Sequence, residues 1–179
     1  MDPVRIYDYL TRSRGMILDR VRPLSPEQYV QQFPIGLGSL ARTLTHVMIS
    51  EWFYIQRLLE KDVPPYSAWA VHDETPPPFA VIDAMWAEQA RATREAIASI
   101  RDWDAVIEYR GLFVGTDDQP RTPATIISAS ASDIVTQLIL HEVHHRAQAM
   151  NMLRQLGITA EVLGDIDFNA LMYRRRTAD

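Results

Sequence analysis

The sequence predicts an all-α protein, a four-helix bundle with long crossover connections. Three observations predict it. Four long stretches, 3–22, 39–61, 79–101 and 131–156, carry apolar residues at helical spacing. Apart from Pro3 and Gly15 in the first, prolines and glycines gather between these stretches. The segments that read as extended are too short and too few for a sheet-based architecture. At 179 residues the chain is read as a single domain, 1–179, with a core of its own.

Each element has a local reason. In the first helix Asp2 is a candidate cap, and Pro3 is tolerated in the first turn. Ile6, Leu10, Ile17 and Val21 recur at helical spacing, and Pro23 ends the run. Ser25, Pro26 and Glu27 begin a short turn of helix. Residues 28–38 form a connection broken by Pro34, Gly36 and Gly38. Ser39 caps the second helix, whose apolar face is Leu40, Leu44, Val47, Phe53, Tyr54 and Leu58. The prolines at 64, 65, 76, 77 and 78 make 62–78 a loop, which holds Trp69 and His72. Ile82, Trp86, Thr93, Ile97 and Ile100 define the packed face of the third helix.

Residues 103–127 change character. The segments 105–109 and 125–127 are short extended pieces flanking Gly111, Gly115, Asp117, Asp118 and Pro120, as in a loose hairpin or a long crossover. Such a crossover allows a topology other than simple up-down-up-down. In the fourth helix Ile134, Leu138, His141, His145, Gln148 and Met152 advance by alternating steps of four and three, as on a bundle seam. Gly157 is its C-terminal stop. A short helix from Asp167 to about Arg174 closes the fold.

Composition narrows the function. The chain is 47% hydrophobic and 23% charged, an ordinary globular balance. A net charge of -5 argues against general nucleic-acid binding. The only compact basic run, Arg174 to Arg176, reads as a solvated helix end. There is no cysteine, which excludes thiolate zinc sites, Fe–S clusters and cysteine nucleophiles. No secretory leader and no run of 18 apolar residues is visible, so a cytoplasmic protein without a membrane span is expected.

The chemistry concentrates in the histidines. His141 and His145 are one turn apart on the seam and can direct two ring nitrogens at one point. His46, central in the second helix, is the natural third ligand; His72 is a weaker candidate. Three imidazoles would leave a position open for water or substrate. Core histidines more often satisfy themselves by hydrogen bonding, and Glu142 and Arg146 can also be read as a surface network with the pair. Gln148 on the same seam points instead to a polar pocket. A plain scaffold would hold His46 more than about 8 Å from the pair, far beyond metal-ligand reach.

Residues 141–145, His-Glu-Val-His-His, also match the H-E-x-x-H of zinc peptidases. No histidine follows His145, the nearest downstream acids lie beyond Gly157, and Glu142 falls one position off the seam. The peptidase reading is therefore set aside.

At these residues the chain resembles the DinB-like, YfiT-like superfamily of metal-dependent proteins. His46 with Glu51-Trp52-Phe53 looks like the first ligand helix of that group. His141, His145, Arg146 and Gln148, followed by 152–157, resemble its C-terminal signature, with Ala147 where glycine is common. Asp165 to Phe168 with Tyr173 resembles its closing segment. The resemblance implies a DinB/YfiT-like bundle, frequent pairing as a homodimer, and one divalent metal ion, zinc or nickel, held by His46, His141 and His145. It implies metal-dependent activation of water or of a low-molecular-weight thiol, in a hydrolase or S-transferase. No catalytic residue is assigned. Glu51, Glu142 and His144 are alternative bases, Tyr7 and Tyr9 candidate pocket residues, and Arg146 a candidate anchor for an anionic substrate. The competing reading is a non-catalytic, metal-stabilised bundle acting as a binding or stress-response module. Substrate identity is not legible; Trp69 and Trp86 are read as core before pocket.

Overall fold

The structure, a computed structural model, describes residues 2–110 and 125–174. Helix α1 spans Pro3–Val21; the Asp2 carboxylate accepts from the Arg5 amide at 3.1 Å and so satisfies one of the free N–H groups of the first turn. Helix α2 is Pro26–Val30. Ser25 and Gln28 form a reciprocal capping box, which draws 28–30 into the helix and out of the connection the sequence suggested. Helix α3 runs Leu40–Leu58 behind the Ser39 cap. It stops short of residue 61, where Glu60 takes a left-handed φ of 54° that an α-helix cannot continue through.

After a 3₁₀ turn at Tyr66–Ala68, helix α4 occupies Phe79–Ser99, leaving Ile100 just beyond its end. Strands β1 (Val106–Arg110) and β2 (Ile126–Ser130) pair antiparallel, from Val106 opposite Ser130 to Arg110 opposite Ile126. The two extended pieces are therefore partners. Gly111, Gly115, Asp117, Asp118 and Pro120 lie outside the described residues, as do Arg175 and Arg176. Ser130 ends β2 and caps α5, Ala131–Gln155, through a second capping box with Asp133. At its far end Gly157, with φ 89°, donates to the Arg154 carbonyl while Ile158 donates to that of Leu153. That paired pattern is a Schellman stop. Helix α6, Ala160–Leu163, has no periodic signal behind it, and α7 is confined to Phe168–Met172.

The four long helices are α1, α3, α4 and α5. Helices α1 and α3 each pack against both α4 and α5. The first two long helices thus face each other across a diagonal, and the fold is a bundle of crossover topology. No helix among the described residues is long and apolar enough to cross a membrane.

The apolar core falls into two clusters. One gathers Ile17, Val21, Leu40, Leu44, Val47, Ile82, Trp86, Met152 and Leu153. The other gathers Tyr7, Leu10, Ile55, Leu58, Ile97, Ile134 and Leu138. Phe53 and Tyr54, expected on the buried face of α3, are only half-buried, and Ile49 and Ile55 are buried instead. Along α1 the boundary between the clusters falls between Leu10 and Ile17, and along α5 between Leu138 and Ala149. Charged side chains occupy that boundary.

Leu153 has no exposed surface and stands in the first cluster. Leu153→Ala is expected to destabilise the fold by about 2–5 kcal/mol, through lost burial and a residual cavity. Urea unfolding followed by circular dichroism measures it; a loss below about 1 kcal/mol would contradict this packing.

Candidate metal centre

His46 projects from the middle of α3, and His141 and His145 project from successive turns of α5, the helix packed against it. His46 Nε2 and His141 Nε2 stand 3.1 Å apart. One ligand atom from each of the three imidazoles fits within a span of 4.8 Å. Two nitrogens on one tetrahedral ion with bonds of 2.0–2.1 Å lie roughly 3.3 Å apart, so the spacing suits a shared cation. The plain scaffold, with His46 remote from the pair, is excluded by this distance. His72 is not in the cluster; its Nε2 is 2.9 Å from the Tyr66 carbonyl oxygen.

The outer ring nitrogens decide which lone pairs face inward. His46 Nδ1 lies 2.7 Å from Asp73 Oδ2, and His145 Nδ1 lies 2.9 Å from Gln148 Oε1. Both partners are acceptors, so each Nδ1 carries the proton and donates it. In the neutral ring each Nε2 is then the lone-pair nitrogen, turned toward the cluster. A carboxylate or carbonyl behind the imidazole is the usual way a metal-binding histidine is oriented. Three imidazoles with converging nitrogens are a donor set suited to a divalent ion.

Asp73 comes from the 62–78 loop and has no helical spacing to announce it. Its other oxygen accepts from the Tyr66 hydroxyl at 2.6 Å, and its backbone carbonyl accepts from Arg42. The loop is thereby tied against the cluster. Trp69 packs on Trp52 and Phe53, ring centroids 5.0 and 5.9 Å away.

Glu142 does not join the histidines, as its offset predicts, but neither does it face water. It is 4% exposed and takes a two-pronged contact from Arg14: Nε to Oε1 at 3.0 Å and Nη2 to Oε2 at 2.5 Å. Arg14 also reaches Glu51 Oε2 at 2.7 Å. Glu51, 2% exposed, accepts further from the Tyr7 hydroxyl at 2.5 Å and Trp86 Nε1 at 2.7 Å. The surface network that Glu142 and Arg146 suggested is thus a buried one centred on Arg14. Arg14 was not singled out from the sequence, although it fills the seam step between Leu10 and Ile17. Glu51 and Glu142 have their oxygens committed, and Tyr7 is fully engaged with Glu51.

Arg146 donates to the hydroxyls of Ser13 and Tyr9, the latter at 2.8 Å, and lies over the Tyr9 ring. Among the described residues no carboxylate lies within ion-pair distance of it. A small, water-sized cavity of about 20 Å³ opens here, lined by Ile17, Leu44, Trp86, His145 and Arg146 among others. Trp86 thus belongs to both the core and the cavity wall.

Burial, together with the neighbouring rings of His145, His46 and His144, pushes the His141 pKa down to about 3. Burial also lowers that of His145. Burial alone would raise the Asp73 carboxyl, but the hydrogen bonds from His46 and Tyr66 hold it well below its ordinary value. In the charged layer burial would discharge Arg14, yet Glu142 and Glu51 hold it firmly protonated. Burial raises Glu142, against the pull of Arg14.

The fold and the cluster together define a class: a helical bundle with three convergent histidines able to hold a metal ion. The chain belongs to the DinB family, whose model matches residues 1–172. No curated protein matches it.

Two outcomes test this geometry. Arg14→Met leaves two buried carboxylates uncompensated and is expected to cost about 3–5 kcal/mol in denaturant unfolding; a neutral substitution would mean the layer is wet. His141 has a folded pKa near 3 against an ordinary 6.5, so the unfolded chain binds more protons between those values. The stability from neutral His141 is complete above about pH 6.5 and lost as pH falls toward 3. The melting temperature of metal-free protein should therefore decline steadily below pH 6.5, with the His141 ring proton shifts flat down to about pH 4.5 by NMR. A His141 titration near 6.5 would contradict the burial.

Proposed function

We propose that the chain holds one divalent ion, zinc or nickel, through His46, His141 and His145, and acts as a metal-dependent enzyme on a small molecule. The observation that carries this reading is the convergence of three inward-facing imidazoles beside a cavity. A bound ion would supply Lewis acidity, lowering the pKa of water or of a thiol so that either is a nucleophile near neutral pH. Asp73 and Gln148 accept from Nδ1 of His46 and His145 and so aim their Nε2 atoms at the cluster. Ile17, Leu44, Val47 and Trp86 give the cavity dry walls. Arg146, held by hydroxyls and not by a carboxylate, fits an anionic group on the substrate.

Among the acids near the cluster, Glu51, Glu142 and Asp73 are all engaged with other side chains. A water nucleophile gains from a free carboxylate base, whereas a thiol, with a pKa of about 8.5, needs far less help. This favours S-transfer with an external low-molecular-weight thiol over hydrolysis, and the chain has no cysteine to supply that thiol itself. Pairing of two copies is also proposed. Leu140 and Val143, exposed on neighbouring turns of α5 at 60% and 36%, offer an apolar contact for it.

The test is metal stoichiometry followed by thiol conjugation to an electrophile. Wild-type protein is expected to bind one equivalent of zinc or nickel and to accelerate conjugation. His145→Ala should fold, bind no stoichiometric metal and lose the rate. Unchanged metal content in that variant would overturn the assignment. Stoichiometric metal with neither thiol-dependent nor water-dependent turnover would favour the non-catalytic binding module.

A further inference from the structure

Gln148 stands between two histidines. Its Oε1 accepts from His145 Nδ1 at 2.9 Å, and its Nε2 donates to His144 Nε2 at 2.9 Å. A carboxamide on a flexible side chain needs a third constraint to hold that pose, and the structure contains one. Gly36, in the connection between α2 and α3, lies against the carboxamide. A Cβ built on Gly36 would fall 2.2 Å from Oε1 and 2.6 Å from Cδ of Gln148. Gly36 is in a tight turn closed by the Gly38 amide on the Ile35 carbonyl at 3.0 Å, and it has a φ of 53°. The turn requires φ above zero at that position, and the carboxamide requires the missing Cβ.

We infer that Gly36 and Gln148 are positioning residues for the histidine cluster: the bare Cα of Gly36 seats the Gln148 carboxamide, which fixes the ring orientation and tautomer of His145. The inference rests on the metal-binding reading for its consequence but not for its geometry. The atoms nearest a side chain at residue 36 belong to the far end of Gln148, which can swing away at small cost to the fold. The swing would break the hold on His145 Nδ1. Damage would therefore register at the cluster more than in global stability.

The tautomer of His145 in metal-free protein, read from its ring ¹⁵N shifts, tests the geometry directly. Wild type is expected to show Nδ1–H with Nε2 unprotonated. Gly36→Ala should mix the two tautomers and weaken zinc binding, titrated against a chromophoric chelator, by about 10–100-fold, the usual effect of losing a partner behind a ligand. Because Ala at positive φ is itself strained, the route is checked in a Gln148→Ala background. There Gly36→Ala should add no further loss of zinc affinity. Gln148→Glu, which keeps the acceptor, should retain the Nδ1–H tautomer. An unaltered His145 spectrum in Gly36→Ala, or losses that simply add in the double variant, would overturn the inference. If wild type binds no zinc, the metal reading fails while the tautomer result still decides the positioning.

Discussion

Arg14 is the contact on which the rest of the bundle depends. It lies in the gap between the two apolar clusters and joins α1 to α5 through Glu142 and to α3 through Glu51. Compared with an apolar replacement of all three charged residues together, such a buried triad adds little stability, since desolvation offsets most of the attraction. Its effect is geometric. The two-pronged grip on Glu142 restrains rotation of α5 about its own axis, and Glu142 is the immediate neighbour of His141. A turn of one residue, about 100°, would carry the carboxylate out of the core and the ligand nitrogens away from His46. The charged layer thus sets the azimuth of the helix that carries two of the three imidazoles.

The three histidines differ in how they are held. His46 is backed by a carboxylate, whose negative charge would offset part of the charge of a bound cation. His145 is backed by a neutral amide. Among the described residues His141 has no such hydrogen-bond partner behind it and is set by packing, against the rings of Tyr54, His46 and His145. Orientation therefore comes from three different parts of the chain: a loop, the same helix and a cluster of rings. A cation would meet a cluster already arranged, which limits the entropy lost on binding.

Much of this was legible in the sequence. The four long helices, the Asp2 and Ser39 caps and the Gly157 stop follow from periodicity and from capping chemistry. The convergence of His46 with the α5 pair follows from spacing together with family resemblance. The charged layer was only half visible. Glu51 and Glu142 read as possible bases, while a cation such as Arg14 on an apolar stripe looks like an interruption of it. A buried guanidinium with two carboxylates continues the stripe by being neutralised. Asp73 was not legible at all, because its role depends on the path of a proline-rich loop and no periodicity encodes that path. The same holds for Gly36, where the sequence announces a turn and only three dimensions show what lies against it.

The place of α5 as the last of the four long helices has a consequence for the order of assembly. His46 and His141 are 95 positions apart in the chain, and Arg14 and Glu142 are 128 apart. Both pairings close only when α5 arrives, and contacts of such long range form late because their loop entropy must be overcome first. A nascent chain that has emerged from the ribosome through α4 presents a single imidazole of the three, too few to trap a metal. The capture of a cation by all three imidazoles would thereby wait for a chain whose core is already closed.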